Sequence, residues 1–300
     1  MLDVIIIGGG PAGLSAALML GRARRRVVVC DAGTPRNARA RELHGLLSRD
    51  GVPPAELLRC GREEIRRYGV KWRSERVMAV TGHDARFDVA LASGERLQGR
   101  KLLIATGVSD NLPAIDGLAE CYGVSVHHCP YCDGWEWRDG RIAVLGAGRA
   151  GAALSLSLLT WSADVRLFTN GSPRLTPAVR KQLDARGVVV HDEPVTALDH
   201  VDGRLQAVRL RDGNSVPRDT LFFPSGQRPQ DSLAARLGCE FTRKGSVRTD
   251  RYGQTCVPGV FVVGDASFDV QFVVVAAAEG AKAAVLINRQ FQAEAGQELP

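Results

Sequence analysis

Cys129 and Cys132 stand two residues apart near the middle of a 300-residue chain, within His127-His128-Cys129-Pro130-Tyr131-Cys132-Asp133-Gly134. Cysteines so spaced can close a small-ring disulfide and resolve a mixed one, and the attacking species in either direction is a thiolate. Such exchange needs a group that takes a proton and returns it. Asp133 is the best candidate by position. His127 and His128 are alternatives, because histidine titrates near neutral pH. The plainer readings are a turn acid before Gly134 for Asp133 and loop or hydrogen-bonded core residues for the two histidines. Tyr131 and Trp135 read either as core packing or as a hydrophobic wall for a substrate. A metal site made of one histidine and the two cysteines is a rival. Structural zinc takes four ligands, however, and no second CxxC or HxxxH follows, so no metal is expected.

Two glycine clusters would position this dithiol among nucleotide-binding units. Gly8-Gly9-Gly10-Pro11-Ala12-Gly13 follows the apolar run Val4-Ile5-Ile6-Ile7. A helix from Pro11 to about Ala23 comes next, with Leu14, Leu18 and Met19 on its apolar side, then a strand Val27 to Cys30 with Asp31 at its end. This is a βαβ unit with an acid about twenty residues past the glycines. In such a unit Gly8 makes the tight turn, Gly10 lets the backbone approach a pyrophosphate, and Gly13 lets helix and strand pack closely. The helix N-terminus offers N–H donors and a positive dipole end to the phosphates, and Asp31 can accept a ribose hydroxyl.

The second cluster, Gly146-Ala147-Gly148-Arg149-Ala150-Gly151, lies between a strand Arg141 to Leu145 and a helix Ala152 to Trp161, with Val165 to Phe168 as the next strand. Thr169-Asn170-Gly171 follows, with no acid for a ribose diol and no immediate arginine cluster for a 2′-phosphate. Gly146, Gly148 and Gly151 keep the fold signal, while the nicotinamide signal is damaged.

The rest of the chain supplies the scaffold. Thr34 to Val52 is an irregular loop, carrying His44, that should lie near the bound nucleotide. Pro54 to Tyr68 reads as a helix, Val77 to Leu97 as an antiparallel meander, and Lys101 to Ile104 as a buried strand before Ala105-Thr106-Gly107. Val188 to Val190 and Leu205 to Arg211 are assigned to a second meander. Val257 to Val263 leads to Gly264-Asp265, and a small-residue-rich helix runs from Gln271 to Asn288. That last segment should return to the first domain. The expected fold is α/β, with two Rossmann-like three-layer ββα nucleotide-binding domains, the second inserted in the first. Residues 1–113 and 231–300 form the first, and residues 114–230 form the second, which carries the CxxC.

Composition agrees with an ordinary globular protein of about two domains. The net charge is +6, and the four arginines between Arg22 and Arg26 read as a solvated helix end rather than a nucleic-acid patch. There is no apolar run of roughly 18 residues and no leader-like pattern, which predicts a cytoplasmic protein with no membrane and no nucleic-acid partner. Of seven cysteines only one pair is close, so redox chemistry is expected there, and Cys30, Cys60, Cys121, Cys239 and Cys256 read as small buried hydrophobes.

In order, Gly8 to Gly13, Ala105-Thr106-Gly107, Cys129 to Gly134, Gly146 to Gly151 and Gly259 to Asp265 resemble the low-molecular-weight thioredoxin reductase family over nearly the whole chain. The resemblance implies FAD in the discontinuous first domain and a homodimer. It implies that Asp265 contacts the flavin ribityl chain, that Gln271 at the start of the last helix lies near the flavin ring, and that Thr106 and Gly107 belong to the same site. Cys132 would be the thiol nearest the flavin, Cys129 would attack an external disulfide, and Asp133 would move protons. Three features depart from the family. Thr169-Asn170-Gly171 replaces its basic motif, Val270-Gln271 replaces an Arg-Gln pair, and the dithiol reads Cys-Pro-Tyr-Cys followed by Asp133-Gly134-Trp135-Glu136. The last two look like a divergent branch that includes dithiol oxidases acting on small-molecule dithiols with oxygen as acceptor, although those usually carry His where this chain has Asp133. The expected activity is FAD-dependent thiol–disulfide exchange with a thioredoxin-like protein. Alternatives are a small-molecule dithiol oxidase, a reductase with a donor other than NADPH such as ferredoxin, and a flavin-binding redox sensor.

Overall fold

A strand that is apolar on both faces has to be covered on both faces, and Leu2–Ile7 is the centre of such a sheet, with Val4, Ile5 and Ile6 fully buried. The computed structural model describes residues 1–83, 85–171, 174–267 and 270–297. They form two compact units, one of Met1–Ala38, Gly45–Ser109 and Gln227–Pro300, the other of Arg39–His44 and Asp110–Gly226.

In the first unit, Lys71–Arg73, Val27–Cys30, Leu2–Ile7 and Arg96–Ile104 lie side by side in parallel, and Val260–Val262 continues the parallel order beside Arg96–Ile104. The meander expected between Val77 and Leu97 and the strand expected after it share one long strand. The first half of Arg96–Ile104 pairs antiparallel with Arg86–Leu91, and its second half pairs with Val260–Val262. Helix Pro11–Arg22 packs on one face together with the last helix, Val273–Glu294, around a core that includes Ile6, Leu20, Leu103 and Ile287. Each large aliphatic side chain removed from water there contributes about 1.5–3 kcal/mol. Leu14 and Leu18 join this packing as expected, but Met19 is exposed, because Ala16, Ala17 and Leu20 take the inward stripe. The arginine run is solvated as expected, with Arg22, Arg24 and Arg26 exposed, yet two of its members also make contacts. Arg25 Nε donates to Asn288 Oδ1 at 2.8 Å and Arg26 pairs with Asp3 at 3.0 Å, both within the same unit.

The second unit holds a five-stranded parallel sheet ordered Val189–His191, Val165–Phe168, Ile142–Leu145, Thr220–Phe222 and Val126–His127. Here the expected meander is corrected. The segment at Val188 to Val190 forms the parallel edge strand beside Val165–Phe168, and the antiparallel sheet is built from Val195–Val201, Arg204–Leu210 and Ser215–Pro217. A three-residue apolar strand carries no periodicity that distinguishes the two placements. The helix after the second glycine cluster begins inside it, at Gly148, and ends at Leu158.

The reading of the remaining cysteines is corrected in part. Cys30, Cys121 and Cys239 are buried, but Cys60 is half-buried and Cys256 is exposed. Cys60 Sγ donates to Glu56 Oε1 at 3.3 Å, one helical turn back, on the outer face of Pro54–Arg66. No helix among the described residues is long and apolar enough to cross a membrane.

Candidate functional site

Ligands of open parallel sheets gather beyond the carboxyl ends of the strands, and in the first unit the sequence motifs all lie at that edge. Gly8 follows Leu2–Ile7, Asp31 follows Val27–Cys30, Ala105-Thr106-Gly107 follows Arg96–Ile104, and Gly264-Asp265 comes two residues after Val260–Val262. The edge is held by backbone bonds. Gly8 N–H donates to Cys30 O at 2.8 Å, Ala105 N–H to Ile7 O at 2.7 Å, and Val263 N–H to Ile104 O at 3.0 Å. Gly9 N–H donates to Asp31 Oδ1 at 3.0 Å.

The glycines have distinct reasons to lack a side chain. A Cβ at Gly8, whose φ is +105°, would lie 2.3 Å from Ala105 O, and one at Gly13 would lie 2.0 Å from Gly8 O. A Cβ at Gly10 would meet nothing within 4 Å, so that approach is open. Helix Pro11–Arg22 starts there with Pro in its first turn, no side-chain cap and no acid, leaving its N-terminal N–H groups and dipole for an anion. These residues fit the pyrophosphate of FAD. Near the start of the last helix, Asp265 Oδ2 accepts from Arg36 Nη1 at 2.9 Å and Gln271 Oε1 accepts from the same nitrogen at 2.7 Å. Arg36 was not singled out by the sequence. It sits in the irregular loop, and only its position after Pro35 at the nucleotide edge could have marked it. Gln271 also exchanges a pair of amide hydrogen bonds with Gln227, each 2.7 Å.

In the second unit, strand Val126–His127 carries the dithiol out of the carboxyl edge of its sheet. Cys129 and Cys132 are joined as a disulfide, with Cα atoms 5.3 Å apart. Cys129 caps the short helical turn Pro130–Asp133, its Sγ accepting from Cys132 N–H at 3.2 Å. Asp133 Oδ1 lies 3.2 Å from His127 Nδ1, and Trp137 Nε1 donates to His127 Nε2 at 3.1 Å. His128 turns the other way, with its Nδ1 3.1 Å from Tyr122 Oη, which itself donates to Asp110 Oδ2 at 2.6 Å. Tyr131 and Trp135 are not core residues. They are exposed beside the disulfide, Tyr131 edge-on to Trp161 and Trp135 under Arg138. His44 lies 3.5 Å from Glu136 and 3.8 Å from Glu42 within this unit. Among the described residues no group of three or more His, Cys, Asp or Glu side chains is placed to hold a metal ion.

Burial disfavours the thiolate form of the three buried cysteines. Burial pushes the Cys30 thiol up to about 12 and raises those of Cys121 and Cys239 as well.

The second glycine cluster lies at the same edge, after Ile142–Leu145. Gly151 packs so closely on Gly146 that a Cβ would lie 2.4 Å from Gly146 O. The equivalent of the open Gly10 is Gly148, where a Cβ would touch Arg174 Cβ and O at 3.6 Å. Beyond Val165–Phe168, Thr169 Oγ1 lies 3.1 Å from Asp192 Oδ1, and Asn170 Oδ1 accepts from Val195 N–H at 2.9 Å. No acid stands after Val165–Phe168 to accept a ribose hydroxyl, while Gly146, Gly148 and Gly151 keep the glycine turn.

Residues 2–280 match the pyridine nucleotide-disulphide oxidoreductase family. A probable thioredoxin reductase of Arthroderma benhamiae is 34% identical over 300 residues, covering 89% of this chain and 74% of that protein. The crystal structure of HlmI superposes with a TM-score of 0.94 at 42% identity, covering 98% of this chain and 94% of the other. A putative thioredoxin reductase TrxB from Bacillus anthracis gives a TM-score of 0.94 at 29% identity, covering 98% of this chain and all of the other, 100%.

Proposed function

The chain belongs to the pyridine nucleotide-disulphide oxidoreductase family and is an FAD-dependent disulfide oxidoreductase, and from that premise we propose that Cys129 and Cys132 are its exchanging dithiol and Asp133 its proton carrier. The observation that carries this is the Cys129–Cys132 disulfide at the carboxyl edge of a parallel sheet, with Asp133 one residue beyond it.

FAD, when bound by Gly8, Gly10, Pro11, Ala12, Gly13, Asp31, Thr106, Gly107, Gly264, Asp265 and Gln271, supplies two-electron exchange with the dithiol. The protein's own steps are acid–base and nucleophilic. The reduced Cys129 thiol gives its proton to Asp133 and attacks one sulfur of the substrate disulfide, and the departing sulfur takes the proton back from Asp133. Cys132 then attacks the Cys129 sulfur, closing Cys129–Cys132 and releasing the second product thiol with the second proton. One substrate disulfide becomes two thiols, and the electron pair comes from the two cysteines. The substrate is a thioredoxin-like protein disulfide, as the names of the relatives suggest. Exposed Tyr131 and Trp135 beside the disulfide supply apolar surface for it. The protein works as a homodimer in the cytoplasm, where free thiols such as those of Cys60 and Cys256 persist.

The test is single-turnover exchange by the flavin-loaded protein after reduction with dithionite, with thioredoxin and a small aromatic disulfide as acceptors. Cys129→Ser and Cys132→Ser should each keep flavin and lose turnover. Full turnover in both variants would sink the dithiol mechanism. Light scattering of the purified protein tests the dimer.

A further inference from the structure

The carboxylate of Asp133 faces a residue that is itself held. His127 Nδ1 lies 3.2 Å from Asp133 Oδ1, and His127 Nε2 lies 3.1 Å from the indole Nε1 of Trp137. An indole N–H only donates, so Nε2 is the acceptor, and the ring proton sits on Nδ1, 3.2 Å from Asp133 Oδ1. The imidazole has little freedom to turn. Its side chain is 7% exposed, and its backbone pairs with Phe222 in the parallel sheet. The ring packs 5.4 Å from Phe222 and 6.1 Å from Trp137, centroid to centroid. The three side chains come from the end of a sheet strand, from the turn Pro130–Asp133, and from the 3₁₀ turn Trp135–Trp137. The contact therefore runs from the rigid sheet to the turn that bears both cysteines.

We propose that His127 is a positioning residue of the exchange reaction. It fixes the Asp133 carboxylate in one orientation beside the Cys129–Cys132 turn, Trp137 selects the tautomer that does so, and His127 does not itself exchange the substrate's proton. This deepens the proposed function, since it rests on Asp133 carrying the proton. Side chains that orient a catalytic group from behind act only through that group, so their loss and the loss of the group are not additive.

The test uses the flavin-loaded full chain, reduced with dithionite and mixed with a small aromatic disulfide across a range of pH. Asp133→Asn should slow single-turnover exchange by about a hundredfold and flatten its pH profile. His127→Leu should slow it by about tenfold and shift the same profile. The double variant should be no slower than Asp133→Asn alone, to within about twofold. His127→Asn, which keeps a donor near the place of Nδ1, should recover to within about threefold of the wild type. Losses that multiply in the double variant, or a His127→Leu protein with the wild-type rate and profile, would overturn the proposal. Should His127→Leu fail to fold, by melting temperature and flavin content, Trp137→Phe decides. It keeps the imidazole and removes the donor to Nε2, so a shifted pH profile supports the proposal and an unchanged one overturns it. A silent Asp133→Asn would instead overturn the underlying role of Asp133, and this proposal with it.

Discussion

Asp31 Oδ1 accepts the backbone N–H of Gly9 at 3.0 Å, so an acid at the end of one strand closes the glycine turn at the end of its neighbour. One oxygen of Asp31 therefore shapes the cradle, and the other is the one a ribose hydroxyl would meet. Replacing Asp31 by Ala removes both contacts. The dissociation constant for FAD should rise by about tenfold, equivalent to roughly 1.4 kcal/mol. Titration of the deflavinated protein by flavin fluorescence measures it, and an unchanged constant would remove Asp31 from the site.

The last helix meets the first through glycine. A Cβ at Gly280 would lie 2.0 Å from Ala12 O, which is backbone and cannot turn aside. Gly280→Ala should therefore force Val273–Glu294 off Pro11–Arg22 and cost about 1–3 kcal/mol of stability, together with flavin affinity, since Ala12 belongs to the cradle. Urea unfolding followed by far-UV dichroism reads the stability. A variant as stable as the wild type would show that the helices separate without cost.

A Cβ at Gly148 would be in ordinary contact with Arg174 at 3.6 Å, whereas one at Gly10 would meet nothing, and no acid follows Val165–Phe168 to hold a ribose. Under anaerobic conditions, near-stoichiometric NADPH or NADH should leave the oxidised flavin band in place, while dithionite bleaches it. Bleaching by NADPH at equivalence would show that the second glycine cluster receives a nicotinamide without an acid there. If a small dithiol bleaches the flavin where NADPH does not, electrons enter through Cys129 and Cys132.

The thiols separate into two classes by burial and chemistry. Iodoacetamide applied to the native oxidised protein should label Cys256 first and Cys60 more slowly, and spare Cys30, Cys121 and Cys239. Prior reduction should add Cys129 and Cys132. Peptide mass spectrometry gives the pattern, and labelling of Cys129 without reductant would mean that the disulfide is not the resting form.

The pH dependence of stability has one clear contributor in the second unit. Arg141 donates to Asp219 through its side chain at 2.6 Å and its backbone N–H at 2.8 Å, and this guanidinium holds the Asp219 carboxyl below its ordinary range. A depressed carboxylate stabilises the fold above its unfolded pKa of about 4, and that stabilisation disappears as pH falls through the lower folded value. Both side chains are substantially solvated, so screening limits the pair to roughly 1 kcal/mol. The stability difference between wild type and Asp219→Asn should be full at pH 6 and shrink below about pH 4. A difference that stays constant down to pH 2 would assign it to something other than this ion pair.

Much of this protein is written locally. Val4-Ile5-Ile6-Ile7, the glycines after it and Asp31 specify a parallel strand, a phosphate turn and an acid, because each depends on neighbours within one βαβ unit. The Cys129–Cys132 pair is likewise local, since only Pro130 and Tyr131 lie between the two cysteines. Other features depend on partners far away in the chain. The segment at Val188 to Val190 is a parallel edge strand only because Val165–Phe168 lies beside it. The residues Arg39–His44 pack with the second unit although the chain on either side packs with the first. Arg36 reaches Asp265 and Gln271 across more than two hundred residues of sequence. His127 becomes the support of Asp133 only when the sheet fixes its ring and Trp137 takes its second nitrogen. Periodicity reports which side of an element is apolar. Which polar atoms meet across elements is decided by tertiary packing, because burial leaves each donor and acceptor to find its partner wherever the fold brings one.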